Sequence, residues 1–172
     1  MKKLFTGALA ALALAIAGTF GSGAVTADEF SPAIVFDMGG KFDKSFNEAA
    51  YNGAEKFKSE SGIEYREFEV TNPSQREQAM RNMARRGATV IIAMGFAQAA
   101  AVETVAKEFP DTKFTLIDMV VDLPNVQSVI FKEHEGSFLV GMAAAIASKT
   151  GKVGFIGGMD IPLIRKFALG YV

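Results

Sequence analysis

The sequence predicts an α/β fold built on a mostly parallel sheet with helices on both faces. Two observations predict it. Short apolar, β-branched runs alternate along the chain with longer segments of helical periodicity, the pattern of βαβ units. Those runs also stop at a carboxylate or at glycines, as buried strands do where they release a loop. The chain carries no repeat, low-complexity tract or flexible linker that would interrupt this alternation.

The elements run in order from the N-terminal side. Ala33 to Asp37 reads as a buried strand ending before Gly39-Gly40. Ser45 to Ser59 reads as a helix. Ser45 and Glu48 have the spacing of a capping box, Phe46, Ala49, Ala50, Gly53 and Phe57 recur near helical spacing, and Gly62 stops the helix. Ile63 to Val70 alternates apolar and charged residues like an edge strand. Asn72-Pro73 opens a second helix with apolar stripe Ala79, Met80, Met83 and Ala84, closed by Gly87. Its Arg81, Arg85 and Arg86 are expected on a solvated face. Thr89 to Ala93 is a buried strand, Ala97 to Glu108 a helix, Lys113 to Asp118 a strand and Asn125 to Phe131 another. A helix over Glu135 to Lys149, a sixth strand over Lys152 to Ile156 and a helix opened by Asp160 and Pro162 complete the chain. Tyr171-Val172 falls mid-helix with no cap, and is expected to be a truncated end.

The first 27 residues stand apart. Lys2 and Lys3 precede an apolar run from Leu4 to Ala17, and Val25-Thr26-Ala27 supplies the small residues a signal peptidase reads. The run is shorter than the ~20 residues of a spanning helix. A cleavable export signal with Asp28 as the new N-terminus is therefore expected. Its removal takes two lysines and no acids, moving the net charge from -1 to -3.

Composition narrows the chemistry. The chain of 172 residues is 49% hydrophobic and 22% charged, a globular composition. Without cysteine it has no disulfide, thiolate metal site or lipidated cysteine anchor, and His134 alone excludes a multi-histidine metal cage. The near-neutral balance gives no attraction to nucleic acid. Asp43-Lys44 are adjacent loop residues that point apart, and His134 has no nucleophile near it in sequence. No catalytic residue, metal ligand or cofactor is therefore expected.

Ligands of open α/β sheets bind outside the carboxyl ends of the strands. Those ends here carry Asp37, the Met94-Gly95-Phe96 turn, Asp118 and Gly157-Gly158. Carboxylates there accept hydrogen bonds from sugar hydroxyls or base N–H groups, and phenylalanines stack on flat heterocycles. The loop from Asp37 to Asn47 is neither G-x-G-x-x-G nor a phosphate-binding G-x-x-x-x-G-K-[ST], so a neutral polar ligand fits it better than a phosphate.

DMGGKFDKSFNEAAYNG (37–53), Met94-Gly95-Phe96, FTLIDM (114–119) and residues 131–171 together resemble the BMP (basic membrane protein) family of ABC-transporter substrate-binding proteins, akin to bacterial purine nucleoside receptors. The resemblance covers essentially the whole chain after the leader. It implies the type I periplasmic-binding fold, with doubly wound parallel sheets in two hinged lobes that close on a ligand. The chain is then truncated after the start of the second lobe. Residues 28–123 would form the first lobe, 124–133 the hinge crossing and 134–172 the start of the second, which is too little to bury a core of its own.

The resemblance implies that Asp37 and Asn47 hydrogen-bond a nucleoside and that Phe46 stacks on its base. Phe96, with Met94 and Gly95, would form the neighbouring rim, Asp118 would accept from the base edge, and Gly158 and Met159 would line the second-lobe side. It also implies ABC permease subunits as partners. Many relatives carry a lipobox cysteine. This chain has none, which implies a soluble periplasmic protein with no membrane anchor after signal cleavage. Two other functions remain open from the residues alone. One is an exported α/β enzyme acting on nucleosides or sugars, and the other is a receptor for another small polar ligand that feeds a signalling partner.

Overall fold

The computed structural model describes residues 30–172, so the expected export signal over 1–27 lies outside the described residues. Five parallel strands form one sheet: β1 (Pro32–Phe36), β2 (Arg66–Glu69), β3 (Val90–Ala93), β4 (Lys113–Ile117) and β5 (Val126–Val129), in the order β2-β1-β3-β4-β5. Register is continuous across the centre, with Ala33 of β1 opposite Arg66 on one side and Ile91 on the other. The helices are α1 (Phe46–Ser61), α2 (Gln75–Arg85), α3 (Ala99–Glu108), α4 (Glu133–Ala147) and α5 (Pro162–Tyr171), and a 3-10 turn over Phe96–Gln98 leads into α3.

The two sheet faces are packed unequally. Strand side chains alternate between faces. Ala33, Val35, Ile91, Ala93, Phe114 and Leu116 meet the buried stripes of α2 (Met80, Met83, Ala84) and α3 (Ala101, Val102, Val105, Ala106) in the larger core. The α2 stripe is the one its periodicity predicts. Arg81 departs from its expected solvated role. Its Nε and Nη2 both lie 2.7 Å from the Glu108 carboxylate, a two-pronged clamp between α2 and α3. On the opposite face α1 is the helix that, among the described residues, lies over the strands. Ile34, Phe36 and Met94 form a smaller core there with Phe46, Ala50 and Tyr51.

Helix starts differ from the sequence reading in an instructive way. Ser45 precedes α1 but makes no side-chain cap. Asp43 caps the helix instead, accepting the N–H groups of Ser45, Asn47 and Glu48 at 2.8, 3.1 and 3.1 Å, while Glu48 accepts from Lys44 N–H at 3.0 Å. Lys44 takes a left-handed φ of 57° between them, which turns the loop onto the carboxylate. Asn72 accepts from Ser74 N–H at 3.0 Å and α2 begins at Gln75, later than the Asn-Pro signal suggests. At the other end of α1, Gly62 has φ 71° and its N–H donates to Lys58 C=O, the left-handed cap that glycine adopts at least cost.

The expected sixth strand over Lys152–Ile156 is not formed. The segment has no regular secondary structure and is exposed, and among the described residues no strand pairs with it. A strand is stabilised by a neighbour that takes its backbone groups, and the described residues supply none beside it. Beyond the sheet the chain forms a pair of helices. α4 and α5 meet backbone to backbone at Gly141 and Gly170, where an added Cβ would lie 2.1 Å from the carbonyl oxygens of Tyr171 and His134 respectively. Val126–Val129 of the expected hinge segment pairs along β4 as the last strand of the sheet.

Candidate functional site

The strand order sets the site. β1 leads through α1 to β2 on one side of the sheet, while β3 lies on the other, so the chain reverses direction between β1 and β3. This switch point is where open α/β sheets leave a crevice. Asp37 follows β1 and Met94-Gly95-Phe96 follows β3, so the two expected segments flank that crevice. Their approach is close. Gly95 has φ 97°, and a Cβ there would sit 3.1 Å from Asp37 Oδ2. Only glycine suits both the backbone and the contact.

Asp37 is held from three directions. Its backbone N–H donates to Asn47 Oδ1 at 3.2 Å, and Asn47 Nδ2 donates back to Asp37 C=O at 3.2 Å. Asn47 is 2% exposed, so its amide engages the Asp37 backbone and does not stand free at the rim. The Asp37 side chain accepts from Arg76 Nη2 at 2.8 Å. Beneath the crevice Gln98 is fully buried, and its Nε2 donates to Val35 C=O at 3.0 Å and Met94 C=O at 3.2 Å, tying the ends of β1 and β3 together. The sequence reading missed Arg76 and Gln98. Arg76 lies 39 positions from Asp37 and Gln98 lies 63 positions from Val35, and neither belongs to a motif that would flag it.

Phe46 opens α1 and packs with Ile34, Phe36 and Met94. Met94 is 6% exposed and is a core residue rather than a rim side chain. Phe46 also lines an apolar groove of about 520 Å³ with Ile34, Phe57, Ile92, Ile117 and Phe131. Phe96 starts the 3-10 turn and is half-buried.

Asp118 follows β4 at the same edge of the sheet. It is a non-glycine residue at φ 71°, and its N–H donates to Val129 C=O at 2.8 Å, so β5 holds the strained turn. Burial pushes its carboxyl above the usual range, and the neighbouring Glu133 charge adds to that. Glu133 begins α4 and accepts from Lys166 Nζ at 3.2 Å, and its buried Oε1 has no partner among the described residues.

Gly158 and Met159 lie in the exposed segment that precedes α5. Met159 lines a pocket with Phe155, Gly157, Asp160, Ile164 and Arg165, and none of Asp37, Phe46, Phe96 or Asp118 lines it. Among the described residues no group of three or more His, Asp or Glu side chains converges to hold a metal ion, and no helix is long and apolar enough to cross a membrane. The arrangement offers hydrogen-bond acceptors, an ion pair and aromatic faces at one edge of a sheet, which suits recognition of a small polar solute.

Comparison with known proteins gives concordant results. A family model described as ABC transporter substrate-binding protein PnrA-like (Bmp) matches residues 30–172. The ABC transporter nucleoside-binding protein BmpA of Lactococcus lactis subsp. cremoris is 35% identical over 156 residues, which cover 88% of this chain and 44% of that protein. An uncharacterized lipoprotein of Pyrococcus furiosus is 33% identical over 166 residues, covering 91% of this chain and 41% of its own. The crystal structure of an ABC transporter system solute-binding protein from Aeropyrum pernix K1 superposes with a TM-score of 0.73 at 33% identity, covering 83% of this chain and 41% of that one. The chain thus spans less than half the length of these relatives.

Proposed function

The chain belongs to the PnrA-like (Bmp) family of ABC transporter substrate-binding proteins, and on that premise we propose that it captures a nucleoside, in particular a purine nucleoside, between two lobes for delivery to an ABC importer. The observation that carries this reading is the crevice between β1 and β3, where the Asp37 carboxylate stands against Gly95 with Asp118 at the same sheet edge. In this reading Asp37 and Asp118 accept hydrogen bonds from the ligand, and Phe46 and Phe96 offer faces to the base. Asn47 acts by holding the backbone of Asp37. Gly158 and Met159 reach the ligand only when the second lobe closes over the first. Closure is a two-state equilibrium that the ligand biases by touching both lobes, so one lobe alone binds weakly. The family's work is binding, and we assign no reaction to the site. We also propose that residues 1–27 direct export and are removed, leaving no lipid anchor.

The test is titration calorimetry of the full chain with inosine and guanosine, followed by chromatography of the mixture. Saturable binding with the nucleoside recovered intact supports the receptor. Free base in the mixture would instead support an exported enzyme, and no saturation by either nucleoside up to the limit of its solubility would overturn the purine assignment.

A further inference from the structure

Arg76 stands where elementary electrostatics disfavours it. It is the second residue of α2, in the helix turn whose dipole repels a cation. Its guanidinium is nevertheless largely buried. The Arg76 and Asp37 side chains are 14% and 21% exposed, and Nη2 lies 2.8 Å from Asp37 Oδ1. Among the described residues Arg76 Nε is buried with no partner, so the side chain is inserted for the Asp37 contact rather than for a network of its own. The other Asp37 oxygen, Oδ2, is the one that faces Gly95 across the crevice. The Asp37 backbone is fixed independently by Asn47.

We propose that Arg76 is a positioning residue of the cleft. It turns Asp37 so that Oδ1 accepts from the guanidinium and Oδ2 is the oxygen presented at the crevice to an N–H or O–H donor of the solute. Asp37 then meets the solute through Oδ2, an arrangement suited to a donor such as a ring N–H. This deepens the nucleoside reading and rests on it for the identity of the solute. The geometric part stands without it.

Two measurements on the full chain separate them. The first is inosine titration of wild type, Arg76→Met, Arg76→Lys, Asp37→Asn and the double variant Asp37→Asn/Arg76→Met, each checked for folding by circular dichroism. Arg76→Met is expected to weaken binding tenfold or more, and Arg76→Lys to recover most of it, since a single donor reaches Oδ1. The double variant should bind no more weakly than Asp37→Asn alone, because Arg76 acts through Asp37. The second is the ligand-free crystal structure of Arg76→Met and Arg76→Lys. The Asp37 carboxylate should leave its place beside Gly95 in the methionine variant and keep it in the lysine variant. Additive losses in the cycle, or an unmoved Asp37 in Arg76→Met, would overturn the proposal. Wild type that ignores inosine while Asp37 turns in Arg76→Met would overturn the nucleoside reading and leave the positioning role standing.

Discussion

At the scale of single residues, two aspartates have opposite electrostatic fates. Burial alone would push the Asp43 carboxyl up, but the backbone N–H groups of Asn47, Glu48 and Ser45 outweigh it and hold the group below the usual carboxylate range. Its stabilising effect is complete above the unfolded-state pKa and is lost as the pH falls through the lowered folded-state value. Asp43→Ala should therefore lower the melting temperature by several degrees at neutral pH, with a gap to wild type that narrows in acid. Ser45→Ala should change little, because Ser45 makes no cap bond. Asp118 behaves in the other sense. Burial, then Glu133, raises its carboxyl, so its charge opposes folding above that raised pKa and ceases to do so as the pH falls. Asp118→Asn should raise the melting temperature at pH 7 and lose that advantage on acidification, and asparagine also tolerates the left-handed φ. Thermal scans of the three variants from neutral to acid pH check both signs. In the ligand cleft, Phe46→Ala should weaken inosine binding at least tenfold, read by calorimetry. Unchanged affinity would remove Phe46 from the proposed stack.

At the scale of elements, the contrast lies between helices that close on each other and a strand that has nothing to pair with. α4 and α5 approach until Gly141 and Gly170 touch the opposing backbone. Alanine at either position must force the helices apart, and overpacking of this kind costs roughly 1–3 kcal/mol. Hydrogen exchange should then speed up at the amides of α4 and α5 and stay unchanged in β1 and β3. Residues 152–156 have the apolar, β-branched composition of a strand and still form none. Composition supplies the tendency, and a paired neighbour supplies the stability.

At the scale of the whole molecule, the described residues pack one face of the sheet fully and cover the other lightly. α2 and α3 bury one side, while α1 leaves Ile92, Ile117 and Phe131 along the apolar groove. Such a groove takes up an amphiphilic dye. The chain from Asp28 on should enhance and blue-shift anilinonaphthalene sulfonate fluorescence, and Ile117→Asp should cut the signal with little effect on secondary structure by circular dichroism. No enhancement in the parent chain would mean that the groove is covered in solution.

The sequence by itself determined the features that depend on a few neighbouring residues. The order of strands and helices, the α2 stripe of Ala79, Met80, Met83 and Ala84, the stop at Gly62, and the aspartates that come after β1 and β4 are all patterns of local period and turn chemistry. Family membership was legible for the same reason, since its motifs are contiguous. The tertiary structure decided whatever joins distant segments. It brought Arg76 onto Asp37, 39 positions away, and Gln98 onto Val35, 63 positions away. It engaged Asn47 with the Asp37 backbone, made Asp43 rather than Ser45 the cap of α1, and buried Met94 in the core. It also set the site between β1 and β3 through the strand order, and it withheld the sixth strand. A periodicity shows which face of an element is apolar. Which partner meets that face, and which polar group a buried side chain reaches, depends on contacts between segments that no local pattern encodes.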